Sequence, residues 1–133
     1  NLPPVFAAVS DPAIDEGATL AFVVNATDAD GNLTSITTSA LPTNASFVDN
    51  GDGSGSFSFT PDFTQAGTFD ITFTATDDSS ATDAETITVT VAEVNLDPVL
   101  GSIGNQNVNE GVELTFTATA TDAEFTAEDG TDD

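Results

Sequence analysis

"FTPDFTQAGTFDITFTATDD", residues 59–78, decides how this chain folds. Phe69, Ile71, Phe73 and Ala75 alternate with Asp70, Thr72 and Thr74. That period of two describes a strand with one buried and one solvated face. Threonine suits the outward positions, because β-branched side chains fit a pleated surface. Thr60-Pro61-Asp62 and Ala66-Gly67 punctuate the approach to the strand, and "DDSSATD" at 77–83 punctuates its exit.

The same period recurs on both sides. Leu20, Phe22, Val24 and Ala26 share one parity, as do Phe57 and Phe59, and Ile87, Val89 and Val91 alternate with Thr86, Thr88 and Thr90. Turn signals stand between these runs at Asp15-Glu16-Gly17, Asp30-Gly31-Asn32, Leu41-Pro42 and "DNGDGSG" (49–55). Helical spacing is absent. The pattern predicts an all-β, seven-stranded Greek-key sandwich of immunoglobulin type. Its strands are expected near 5–14 (A), 18–27 (B), 33–40 (C), 45–49, 55–60 (E), 68–76 (F) and 84–93 (G), with the phenylalanines between the sheets.

The chain also repeats. "NLPPVFAAVSDPAIDEGATLAFVVNATDAD" at 1–30 returns as "NLDPVLGSIGNQNVNEGVELTFTATATDAE" at 95–124 without a gap. Identical pairs include Asn1/Asn95, Pro4/Pro98, Glu16/Glu110, Gly17/Gly111, Phe22/Phe116 and Asp28/Asp122. A period of that length is too long for a solenoid unit and suits tandem globular modules. Residues 1–94 are therefore read as one complete module, and 95–133 as the A and B strands of a second copy.

Composition narrows the function. The 133 residues hold 23 Asp plus Glu and no Lys, Arg or His, a formal charge of -23. Nothing can neutralise phosphates, which excludes a nucleic-acid partner and argues against anionic membranes. Cations are what such a chain attracts. No cysteine is present, so neither disulfides nor thiolate metal sites enter the argument. No apolar run reaches the length of a membrane span or a signal peptide, and the chain reads as a mature or internal piece. The missing His, Cys and Lys remove most nucleophiles and bases that work near neutral pH, so the chain is not expected to be an enzyme. Hydrolysis by two carboxylates would want an aromatic-lined cleft, and there is no Trp or Tyr.

"DEGATLAFVVNATDADG", the stretch at 59–78 and "VNLDPVL" together resemble the cadherin-like tandem repeats of bacterial and archaeal surface proteins. The resemblance covers 1–94 and the start of the second copy. It implies seven-stranded sandwiches joined end to end, with Ca²⁺ stiffening each junction. It further implies ligand roles for Glu16 before strand B, Asp62 before strand F, Glu93 and Asn95 in the linker with Asp97 close by, Asp28 and Asp30 after strand B, Asp122 and Glu124 in the second copy, and Asp77 after strand F. Two departures stand out: Thr64 occupies the place of a second acid after Asp62, and Leu96 interrupts the Asn-Asp step of the linker.

Sandwich geometry supports this set separately. The A–B and E–F turns and the exit of strand G share one end; the B–C and F–G loops and the start of strand A share the other. Stacking head to tail would bring Glu16, Asp62 and Glu93 of one module beside Asn95, Asp97, Asp122 and Glu124 of the next. An all-oxygen set without nitrogen or sulfur donors matches Ca²⁺ rather than Zn²⁺ or Mg²⁺. "DNGDGSG" lacks the third alternating acid and closing Glu of a calcium loop and reads as a hairpin turn. Asn25, Asn32 and Asn44 begin Asn-X-Ser/Thr sequons, with Asn32 and Asn44 on turns as the candidate glycosylation sites.

In the second copy Leu114, Phe116, Ala118 and Ala120 form an apolar strand face, and an uncovered strand invites pairing with another chain. Residues 95–133 are expected either to open a further tandem copy or to donate strands to a neighbouring subunit and build a filament. The functional expectation is an extracellular structural module of a cell-surface fibre, filament or adhesin stalk. Its partners would be neighbouring copies of itself. The alternative is a glycan-binding module of a secreted or surface protein.

Overall fold

A computed structural model describes residues 1–123. The chain divides into two units, Asn1–Val94 and Asn95–Asp133. The first contains β1 (Val5–Phe6), β2 (Ala13–Asp15), β3 (Leu20–Thr27), β4 (Leu33–Thr38), β5 (Ala45–Asp49), β6 (Ser54–Phe59), β7 (Gly67–Asp77) and β8 (Thr82–Ala92). They form two four-stranded sheets, ordered β1-β3-β6-β5 and β2-β8-β7-β4. The fold is thus an all-β immunoglobulin-type sandwich.

Strand A departs from expectation. In place of one strand near 5–14 there are two, on different sheets. β1 pairs antiparallel with β3, and β2 pairs parallel with β8. The crossing is fixed by Asp11 and Pro12: the Thr88 amide donates to Asp11 Oδ1 at 2.9 Å, and the Thr90 amide donates to the Pro12 carbonyl at 3.0 Å. Proline has no N–H to continue a ladder with β3, which favours a break at this point.

The core follows the sequence parity. Ile71, Phe73 and Ala75 of β7 are fully buried against Val24, Phe57, Phe59, Ile87 and Val89. The Phe73 ring stands edge-on to Phe57 and Phe22, with centroids 6.1 and 6.2 Å away, the geometry that ring quadrupoles favour.

Aspartates stitch the sheets together. Asp83 on β8 accepts from the Phe6 amide of β1 at 2.8 Å, and Asp49 on β5 accepts from the Ile36 amide of β4 at 3.0 Å. With no Lys or Arg in the chain, backbone amides, side-chain amides and hydroxyls are the donors that carboxylates find. The outward positions of β7 and β8 carry mostly threonine, so much of the acid sits on loops, edges and strand ends.

In the second unit one short strand pairing has the register seen at the opening of the first. β9 (Val99–Leu100) pairs antiparallel with β10 (Ala120–Thr121) through Val99↔Thr121 and Leu100↔Ala120. The register matches Val5↔Thr27 and Phe6↔Ala26 of the first unit. The Gly101 amide donates to the Thr119 carbonyl at 2.7 Å, as Ala7 does to Asn25 at 2.8 Å. Gly111 has φ 77°, and its counterpart Gly17 has φ 74°. The stretch 112–119, which matches the start of β3, has no ladder. In the first unit β6 supplies that ladder, pairing with Leu20 to Asn25. Phe116 is accordingly 55% exposed, whereas its counterpart Phe22 packs on the core. No helix among the described residues is long and apolar enough to cross a membrane.

Candidate functional site

The two ends of the first unit hold different acids, and strand parity explains both. On β3 the inward positions run Leu20, Phe22, Val24, Ala26 and then Asp28; on β7 they run Ile71, Phe73, Ala75 and then Asp77. Each strand therefore ends its core face on a carboxylate. Asp77 is 3% exposed. Its Oδ1 accepts from the Ser79 and Ala81 amides, both at 2.8 Å, and its Oδ2 accepts from Asn1 Nδ2 at 2.8 Å. The Asn1 amide holds the Asp77 carboxyl below its ordinary pKa; desolvation opposes this, and the two backbone amides add to it.

Around Asp77 the chain start and the B–C loop converge. Asn32 Nδ2 donates to Asn1 Oδ1 at 3.0 Å and to Asp78 Oδ1 at 2.8 Å. Asp30 Oδ2 accepts from the Leu2 amide at 2.6 Å, and the Asp30 amide donates to Asp28 Oδ1 at 2.8 Å. Asp28 Oδ2 is buried with no hydrogen-bond partner. Such an atom is costly unless a donor or a cation meets it. Thus Asp28, Asp30 and Asp77 lie at one end, linked through Asn1 and Asn32. Asn1 and Asp78 were missed as members; the identity of Asn1 with Asn95 was the available signal. Beside this network Leu2, Pro3, Val5, Thr27, Asp28 and Ala29 line a largely apolar groove of about 370 Å³.

Glu16 and Asp62 occupy the other end. Glu16 is 5% exposed, and its Oε2 accepts from the Val94 amide at 3.2 Å. The Gly17 amide donates to the Pro61 carbonyl at 2.8 Å and so ties the A–B turn to the loop bearing Asp62. Asp62 Oδ1 accepts from Thr64 Oγ1 at 2.7 Å and from the Thr64 amide at 3.0 Å. Those bonds, the hydroxyl foremost, hold the Asp62 carboxyl below its ordinary pKa. Thr64, standing where a second acid was expected, is a donor to Asp62. Glu93 is exposed just beyond β8.

In the second unit Asn95 and Asp97 are exposed and Asp122 is half-buried just after β10, while Glu124 lies outside the described residues. Among the described residues no three Asp or Glu side chains are grouped so that they could hold a metal ion. "DNGDGSG" is a turn closed on itself: Asp49 Oδ1 accepts from the Gly51 amide and Asp52 Oδ1 from Ser54. Both candidate glycosylation nitrogens are engaged, Asn32 Nδ2 as above and Asn44 Nδ2 by Asp62 and Gln65 at 3.3 and 2.9 Å.

Two sheets that share a divided strand A and end on hydrogen-bonded acids define an immunoglobulin-like module. The chain belongs to the bacterial Ig domain family, whose sequence profile matches residues 1–90. No curated protein sequence matches it. Among solved structures it is similar to the SrpA adhesin of Streptococcus sanguinis, at 16% identity and TM-score 0.60 over 74% of this chain and 63% of that one. The match thus spans less than two thirds of the SrpA chain. It is also similar to the titin M3 domain, at 15% identity and TM-score 0.53 over 70% of this chain and 100% of that one. A third likeness is to the sialic acid binding region of the Streptococcus sanguinis SK1 adhesin bound to 3'sLn, at 15% identity and TM-score 0.59 over 78% and 34% of the two chains.

Proposed function

We propose that this chain is an extracellular structural repeat of a bacterial cell-surface fibre or adhesin stalk, whose successive modules are bridged and stiffened by Ca²⁺. The observation that carries the reading is the buried, unpartnered Oδ2 of Asp28, which stands beside Asp30 and Asp77 while those carboxylates are held by the Leu2 amide, the chain-start ammonium and Asn1 Nδ2. Asn95 and Asp122 repeat Asn1 and Asp28 in sequence, so the second copy carries the same leading-end donors. Glu16, Asp62 and Glu93 supply the trailing end of the first. A hard cation that tolerates irregular geometry and takes about six to eight oxygens fits this donor chemistry. With no basic side chain in the molecule, a cation is also what would relieve repulsion between two acidic ends. Residues 95–133 then open the next copy of the module. Donation of the same strands to a neighbouring subunit is the competing arrangement, and mixing labelled and unlabelled chains separates the two by exchange.

Glycan binding is the second reading, supported by the likeness to an adhesin region that binds sialic acid. With no Lys or Arg, a sugar carboxylate could be met only by hydroxyl or amide donors, so neutral glycans fit this chain better. Binding on a glycan array in the presence of chelator would favour it.

Thermal unfolding of residues 1–133 in millimolar Ca²⁺ and in chelator, at matched ionic strength, tests the principal reading. A ligand at a hundredfold its Kd adds about 2.7 kcal/mol to the folded state. Tm is expected to rise with Ca²⁺, and Glu16→Gln or Asp122→Asn to reduce the rise. Equal Tm in both buffers would sink the calcium bridge and leave the sandwich standing.

A further inference from the structure

We infer that the groove beside Asp28 is a docking site for a lysine-bearing segment of another protein. Leu2, Pro3, Val5, Thr27, Asp28 and Ala29 line this largely apolar space of about 370 Å³. It lies where the paired Val5 and Thr27 of β1 and β3 meet the end of the unit that carries Asp28. Leu2 and Val5 are 55% and 59% exposed, so apolar surface stands open to a partner. Asp28, half-buried, is the one charged residue of the lining.

Charge selects the occupant. Asp28 Oδ1 accepts from the Asp30 amide at 2.8 Å, while Oδ2 is buried without a donor. An apolar recess walled by such a carboxylate suits a ligand with a hydrocarbon body and a single cationic tip. Lysine has that form: its methylene stem covers apolar surface while the ammonium reaches a polar group. Arginine suits it less, because its planar fork is matched by two carboxylate oxygens and one of these is already engaged. An anionic or purely apolar ligand would leave the oxygen unanswered. The lysine must come from another molecule, since the chain has no Lys or Arg, and its formal charge of -23 steers basic partners towards it. The ammonium group of Asn1 already stands 3.9 Å from Asp30 Oδ2, at the same end of the unit. Leu2 and Val5 give the residues flanking a lysine apolar surface to lie on; a free polyamine has nothing to place there.

Size sets its strength. Ligand sites span about 300–1,000 Å³, so this one takes a side chain and part of its neighbours and not a folded surface. A single anchor of that kind should bind with a Kd of about 1 mM. Leu96, Val99, Thr121, Asp122 and Ala123 repeat five of the six lining residues in the second copy, and Asp97 replaces Pro3. A partner with several lysines would therefore gain through avidity along tandem copies. The site does not rest on the calcium reading; Ca²⁺ bound at Asp28 would compete with it.

The test titrates the ¹⁵N-labelled 133-residue chain, in chelator and low salt, with the capped peptide Ala-Lys-Leu. Two control peptides replace the lysine, one by norleucine, which keeps the stem without charge, and one by diaminopropionate, which keeps the ammonium without the stem. The amide signals of Val5, Thr27, Asp28 and Ala29 should shift saturably, several-fold tighter for the lysine peptide than for either control or for putrescine. Asp28→Asn should erase the preference for lysine over norleucine. Val5→Ser, at an exposed position that does not threaten folding, should weaken the lysine peptide several-fold. Asp70→Asn removes the same charge from the outer side of β7 and should change nothing. Equal binding of all three peptides, shifts spread evenly over the acidic surface, tighter binding of putrescine, or a lysine preference that survives Asp28→Asn would each overturn the proposal. None of these outcomes bears on the effect of Ca²⁺ on Tm, so the two readings fail separately.

Discussion

Asp77 shows how a single residue serves the core and the surface together. It continues the inward parity of Phe73 and Ala75, yet it is charged, and three donors hold it at the sandwich end. Its folded-state pKa lies below the ordinary 3.8. The stabilisation it brings is therefore complete above that value and is lost as pH falls through the folded pKa. Asp77→Asn keeps the shape but cannot titrate. Its deficit relative to the parent should stay constant between about pH 5 and 7, begin to shrink as pH enters the ordinary carboxylate range, and be lost only below the depressed folded pKa, as read in urea titrations. A deficit unchanged at low pH would show that charge contributes nothing at this position. Asp28 has the same parity and burial of one oxygen, but no donor answers that oxygen.

At the scale of elements, β7 is the keel of the fold. It pairs with β8 over ten positions from Gly67 to Thr76 and with β4 on its other side. Phe73 has no exposed surface and meets the rings of Phe22, Phe47 and Phe57. Phe73→Ala should cost about 3–5 kcal/mol, read as a lower urea midpoint at unchanged slope. Phe69→Ala, at a half-buried position of the same strand, should cost less. This strand was legible because its alternation is strict over four apolar positions, and β3, β6 and β8 were legible for the same reason. The break in strand A was not. "VFAAVSDPAID" offers small residues and no strict alternation, and its change of sheet depends on Thr88 and Thr90, residues remote in sequence. Of the site, parity could place Asp28 and Asp77 at strand ends. That Asn1 is the amide joining them to Asn32 depends on loop backbone positions that no local pattern encodes.

The whole first unit has polarity. The chain enters it beside Asp77, through Asn1, and leaves it beside Glu16, through Val94. Its acids are concentrated at those two ends and along strand edges, while threonine dominates the outer side of β7 and β8. The parallel pairing of β2 with β8, Ala13↔Thr90 to Asp15↔Ala92, gives this polarity one more consequence. β2 follows the point where the chain enters, and β8 precedes the point where it leaves. Tension applied through the chain would load these hydrogen bonds in shear, so that they share the force and fail together. An antiparallel hairpin pulled from its open end would instead lose its bonds one by one. Single-molecule pulling should therefore give one sharp rupture per module, at lower force once Ile14→Pro removes the Ile14 amide from this short ladder. A rupture force unaffected by that change would locate the resistance elsewhere in the sandwich. A strand divided between two sheets would then be what lets a thread of such modules bear load.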